Sequence, residues 1–332
     1  MHKLKRIIPL GLLVVLASSC ISDNSVKKEW ISPVTGKKYQ LVFNDEFNSE
    51  KNLSDYWDFR GSGWTTPVTR KIKFGNKEYT IAAVKSAVSV NKGNLELSVF
   101  RKDGITDTIY TGGLSTISTF RPQYGYFETK VIFSGCMDSW GHWPAFWLMY
   151  TFPQEESLPE NYDMFTQATE IDIFEFISQS EKIFTTLHWR IKDTVSADPG
   201  PIGLHGSETY AFHLDSTRDR WHVISVEWTP EELIWFCDGA VVLRRNINEN
   251  KRYVPSSFEY VCFSMSAGIW GGNVADPKNN LPAKVKYDYC RVYQQPQQKA
   301  YYKLPVIGKK WVLLSPEERI NNKKYQVNNY DL

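Results

Sequence analysis

Along most of the chain, from residue 38 to about residue 293, apolar and polar residues alternate in short runs broken by Gly, Pro, Asn and Asp. Successive side chains of a strand point to opposite faces, so a period of two predicts strands that bury one face. The clearest runs cover residues 95–100, 126–133, 223–228, 233–238 and 284–293. Long amphipathic helical patterns are missing, as are internal repeats and low-complexity tracts. Many strands without intervening helices predict an all-β fold, an antiparallel β-sandwich rather than an α/β sheet.

The first residues follow a different pattern. Lys3, Lys5 and Arg6 precede an apolar run at 7–16, and Ala17, Ser18 and Ser19 lead into Cys20. These are the three parts of a secretory signal, too short to span a bilayer. A Cys directly after the small residues resembles a bacterial lipobox, which implies cleavage before Cys20, acylation of its thiol and attachment to a membrane. Leu16 stands one position further from Cys20 than that pattern prefers. The expected layout is a signal at 1–19, a tether at 20–37, one catalytic domain at 38–294 and a C-terminal extension at 295–332.

Composition narrows the partners. The chain has 332 residues with 39 basic and 37 acidic side chains, a formal charge of +2, and no basic stripe, so nucleic acid is not an expected partner. Twelve Trp and 18 Tyr suit either a large core or a surface that stacks on flat sugar faces, and only their positions separate the two. Beyond Cys20 four cysteines remain, Cys136, Cys237, Cys262 and Cys290. Disulfides are permitted outside the cytoplasm, but four cysteines allow three pairings and buried free thiols are equally compatible with the sequence. No His or Cys spacing suggests zinc.

The chemistry concentrates in Glu170-Ile171-Asp172-Ile173-Phe174-Glu175. Glu170 and Asp172 share one face of a strand, whereas Glu175 falls out of phase. A β-bulge near Ile173 or Phe174 would return Glu175 to that face. The apolar residues Ile171, Ile173, Phe174, Phe176 and Ile177 mark a central strand rather than an acidic edge. Carboxylates crowded on a central strand repel one another, which structure alone does not explain. Retaining glycosidases need such a pair, one acid as nucleophile and the other as proton donor.

Glu170-x-Asp172-x-x-Glu175 resembles the signature of glycoside hydrolase family 16. Further segments match in order: Asn44-Asp45-Glu46-Phe47, Tyr124-Gly125-Tyr126-Phe127-Glu128, Trp143-Pro144-Ala145-Phe146-Trp147, Trp221-His222, Glu227-Trp228-Thr229-Pro230, Asp238-Gly239, Asp288-Tyr289 and Arg291-Val292-Tyr293-Gln294. The resemblance implies a curved jelly roll with an open substrate groove and retaining endo-hydrolysis of β-linked glucans or galactans. It implies Glu170 as nucleophile, Asp172 as the residue that modulates the pair, and Glu175 as general acid/base. No cofactor is required. A catalytically silent glycan-binding lipoprotein on this fold would be expected to lose an acid, and all three are present.

Other positions carry expectations too. With a kink expected at Pro144-Ala145, at least one of Trp143 and Trp147 faces the groove; the resemblance favours Trp143 and leaves Trp147 to the core. His188 is expected beside the acids. Trp189, pointing the other way on the same strand, and Trp270 complete the expected substrate contacts. Family members often hold a structural calcium, which would fall on Asp288 with backbone oxygens near Glu46 and Gly93; the competing expectation is an ion pair of Asp288 with Arg291 or Lys286. Two stretches, 60–83 and 150–169, read as inserted loops, and His188 is not followed by the Gly-Pro common in laminarinase-like members. These departures favour galactose-containing glycans, such as poly-lactosamine, mucin glycans or algal galactans, over β-1,3-glucan.

Overall fold

The computed structural model describes residues 26–59, 69–150, 169–177, 182–190, 204–213, 220–303 and 311–321. Two layers of antiparallel strands face one another. The inner sheet runs, neighbour by neighbour, through Leu204–His213, Lys182–Arg190, Thr169–Ile177, His142–Tyr150, Glu259–Ala267 and Ile105–Ser115. The outer sheet runs through Ala240–Asn246, Glu232–Cys237, His222–Trp228, Gly125–Ile132 and Ala283–Gln294, which pairs with both Lys38–Asp45 and Asn94–Lys102. The curved sheets form a nearly closed jelly roll. Each strand predicted from the alternation is present, with ends shifted by a residue or two.

Alternation explains the layers. On Thr169–Ile177 the residues Ile171, Ile173, Phe174 and Phe176 enter the shared core, where Phe174 meets Phe133 and Tyr287 from the outer layer. Burying a large apolar side chain contributes about 1.5–3 kcal/mol, so the apolar face of this strand fixes which way its acids point. Cys136, Cys237, Cys262 and Cys290 are all thiols, and none forms a disulfide.

Several boundaries differ from the sequence reading. Residues 29–31, assigned there to the tether, form a strand on Lys38–Asp45, and Trp30 stacks on Tyr126 with ring centroids 3.6 Å apart. In the extension, Lys299–Tyr302 pairs with Phe120–Gln123 and with Val312–Leu314, and Ala300, Tyr302 and Leu314 join the main core. The 60–83 stretch is not wholly a loop. Its second part is a hairpin, Thr69–Phe74 with Lys77–Ala83, closed by Gly75-Asn76 with Gly75 at φ 60°; glycine at the first position of a two-residue turn permits this conformation. Residues 60–68 and 151–168 lie outside the described residues.

Candidate active site

The acid strand carries the bulge that its phase demands. Against Lys182–Arg190, Asp172 faces Thr186 and Glu175 faces Phe184, three steps on one strand against two on the other. Against His142–Tyr150, Asp172 faces Trp147 and Phe174 faces Phe146, two steps against one. One extra residue on the acid strand therefore sends both Ile173 and Phe174 into the core and returns Glu175 to the face of Glu170 and Asp172. From the outer sheet, Trp235 Nε1 donates to the Asp172 carbonyl at 3.1 Å, tying the start of the bulge to the core.

All three acids line one cleft of about 400 Å³. A carboxylate oxygen of Glu170, one of Asp172 and a ring nitrogen of His188 lie within 4.8 Å of one another, with His188 Nε2 at 3.3 Å from Asp172 Oδ2. Burial, then the charges of Asp172 and Glu170, push the Glu175 pKa well above the usual carboxylate range, against the opposing pull of His188 and Thr186. Burial pushes Glu170 up as well, helped by Asp172 and Glu259. Burial disfavours the charged form of His188, but Asp172 and Glu175 outweigh it and raise its pKa. Such a cluster keeps fewer charges than it has acids, so a proton is retained for donation.

The cleft walls correct one expectation and extend another. The strand His142–Tyr150 pairs without a break with Glu259–Ala267, so Pro144 causes no change of phase and Trp143, Ala145 and Trp147 share one face. Trp147 is buried in an apolar cluster with Met149, Tyr150 and Tyr260, as the core reading expects, and also reaches the cleft wall, its Nε1 donating to Ser264 Oγ at 3.2 Å. Trp189 does not: it lies in the core on the opposite face from His188. Trp143 and Trp270 are on the cleft as expected. Trp270 is exposed on the Ile269–Gly271 turn, and Phe184 meets it edge to face at 6.0 Å. A Cβ on Gly271 would stand 2.6 Å from Trp143 Cε3, so only glycine lets this turn close on the platform ring.

Four features were missed in the sequence: Arg70, the Ser264 and Ser266 rungs, the Ser207 and Thr209 wall, and Glu259. Glu259 is fully buried beside the acid strand, its Oε1 accepting from Thr169 Oγ1 at 2.6 Å and Ser257 Oγ at 2.9 Å. Burial, reinforced by Asp172, pushes its pKa up to about 8 despite those hydrogen bonds. A raised folded-state pKa stabilises the fold fully below the unfolded value, near 4.3, and that contribution is lost as pH rises to about 8. Glu259→Gln, neutral at every pH, is therefore expected to flatten the fall in melting temperature between pH 5 and 8.5. A fall as steep as that of the parent protein would contradict the buried neutral acid.

Asp288, the expected calcium side chain, is paired with neither Arg291 nor Lys286. Lys130 Nζ sits 2.6 Å from its Oδ2, while Arg291 makes a two-pronged contact with Glu46 at 2.7 and 2.9 Å. A carboxylate already neutralised by lysine is a poor donor for a hard dication. Chelation of divalent ions is expected to leave the melting temperature unchanged; a drop of several degrees, reversed by calcium, would show that calcium displaces Lys130. His222, Cys237 and Asp238 also place donor atoms within 4.8 Å, but Asp238 is spent on His222 Nδ1 at 2.9 Å and on capping Val223 N.

The model for glycosyl hydrolases family 16 matches residues 75–291, more than half of the chain. The chain belongs to glycosyl hydrolase family 16. This family 16 chain is 28% identical over 274 residues to an endo-1,3-1,4-beta-glycanase of Rhizobium meliloti, covering 76% of itself and 51% of that relative. It is 26% identical over 272 residues to a beta-glucanase of Rhodothermus marinus, covering 77% of itself and 85% of that relative. It spans about half the length of the first of these curated relatives. Among solved structures, the endo-beta-1,3-glucanase from Pyrococcus furiosus shares the fold with a TM-score of 0.60 at 21% identity, covering 81% of this chain and 98% of that one. A family 16 endo-glucanase from Bacteroides ovatus gives 0.54 at 21% identity, covering 75% and 99%.

Proposed function

We propose that the protein is a retaining endo-β-glycosidase that cleaves internal β-1,3 or β-1,4 linkages of a glucose- or galactose-containing glycan. The observation that carries this reading is the bulge, which gathers Glu170, Asp172 and Glu175 on the face of a tryptophan-lined cleft. Glu170 attacks the anomeric carbon while Glu175 protonates the leaving oxygen. Glu175, now ionised, then takes a proton from water, which releases the sugar from Glu170. Asp172 sets the proton balance between them and holds His188.

The names of the relatives put β-glucans first among substrates. Galactose-containing glycans are the second reading, favoured by the absence of Gly-Pro after His188. Incubation with laminarin, mixed-linkage β-glucan, agarose and mucin glycans, with early products followed by NMR, tests both linkage and mode. The expected first product is a spread of oligosaccharides whose new reducing ends are β. An α product, or monosaccharide released from a polymer of constant length, would overturn the retaining or the endo assignment.

Attachment to a bacterial membrane through Cys20 belongs to the same proposal. Cys20 lies outside the described residues, and among those described no helix is long and apolar enough to cross a membrane. Cys20→Ala is expected to abolish incorporation of labelled palmitate and to release the protein from the membrane fraction.

A further inference from the structure

Among the described residues, Arg70 has no carboxylate partner. It stands on the Thr69–Phe74 strand opposite Ile81, and its hairpin is fixed in place. Residues 80–83 pair in parallel with residues 108–111, and the hairpin's Ile72 packs where a Cβ on Gly268 would collide with it. The Arg70 side chain lines the cleft with Trp143, Ser266 and Trp270. Its Nη2 donates to the Ala267 carbonyl at 3.5 Å, while its buried Nε meets no acceptor. Burial lowers its proton affinity, and among the described residues no carboxylate acts against that. The charges that move Glu170 are those of Asp172 and Glu259, so Arg70 is not the counter-ion of the catalytic acids.

A half-buried guanidinium with no carboxylate beside it among the described residues is costly, and its planar fork matches an oxyanion presenting two oxygens. Ser264 shares a rung with Ala145 and hence with Glu175. Ala267 lies three residues further, roughly 10 Å at the rise of a strand. Arg70 therefore addresses a sugar beside the cleaved bond, on the Trp143 side.

We infer that Arg70 forms an anion-binding subsite that takes a sulfate ester or a carboxylate carried by the substrate. This rests on the glycan-hydrolase reading and narrows its substrate to charged glycans. Binding is measured with Glu170→Gln protein and three probe sets: sulfated agar-type oligosaccharides, the same oligosaccharides after desulfation, and uronate-containing β-glycan oligosaccharides. Charged probes are expected to bind at least tenfold tighter than the desulfated set, with the preference shrinking at high salt. Adding Arg70→Gln is expected to erase the preference while leaving neutral binding within twofold. Arg70→Lys, which keeps the charge but not the fork, is expected to lose several-fold of it, and decides the matter if Arg70→Gln does not fold. Preference for sulfate over uronate, or the reverse, identifies the anion. Equal binding of charged and neutral probes overturns the subsite but leaves the hydrolase reading intact, as does equal weakening of both by Arg70→Gln. If the parent protein cleaves no glycan and the Glu170→Gln protein binds none, both readings fall.

Discussion

Glu170→Gln is expected to lower kcat by about 10⁴-fold or more while glycan binding and the melting temperature stay close to those of the parent protein. The amide keeps the volume of a carboxyl that is 9% exposed at the cleft floor, so the packing around Met149 and His188 on the flanking strands has no reason to change. It also removes one charge from a crowded cluster, which relieves repulsion with Asp172. What it cannot do is form the bond to the anomeric carbon. A folded variant retaining a tenth of the activity would show that the nucleophile is another group, and the trapped ester expected with a slow activated fluoro-sugar would then map elsewhere than residue 170.

The second large effect depends on the leaving group. Glu175→Ala is expected to cost about 10²–10⁴-fold on a polysaccharide, whose departing sugar must be protonated, and far less on an aryl glycoside that departs as a stable anion. Equal losses on both would contradict the acid role. The pH profile supplies the sign. Glu175 must be protonated to act as acid, so activity falls as pH rises through its elevated pKa. Asp172 raises that pKa by its charge, second only to burial. Asp172→Asn is therefore expected to move the alkaline limb to lower pH, and an unmoved or upward-shifted limb would remove Asp172 from its modulating role.

Much of this site is written in local order along the chain. Period-two alternation is set by neighbouring residues, so the strands and their buried faces follow from sequence, and the odd spacing of Glu170 and Glu175 demands a bulge whose position between Asp172 and Glu175 the pairing bears out. Pro144 suggests a kink, whereas unbroken pairing with Glu259–Ala267 keeps the strand in phase, so Trp147 is both buried among apolar residues and on the cleft face. Trp189 is expected among the substrate contacts, but strand parity with His188 sends it into the core.

Arg70 and Glu259 had no local signal at all. Arg70 reaches the cleft only because its hairpin pairs with residues 108–111 and lays Arg70 and Ile72 against residues 267 and 268, nearly two hundred positions later in the chain, and Glu259 is buried only because Thr169 and Ser257 close over it. The sequence by itself determined which residues alternate and which acids travel together, because those depend on neighbours along the backbone. Only the tertiary structure decided which distant charges meet the acids and which are left unpaired, because strand register and long-range packing join segments whose local patterns carry no information about each other.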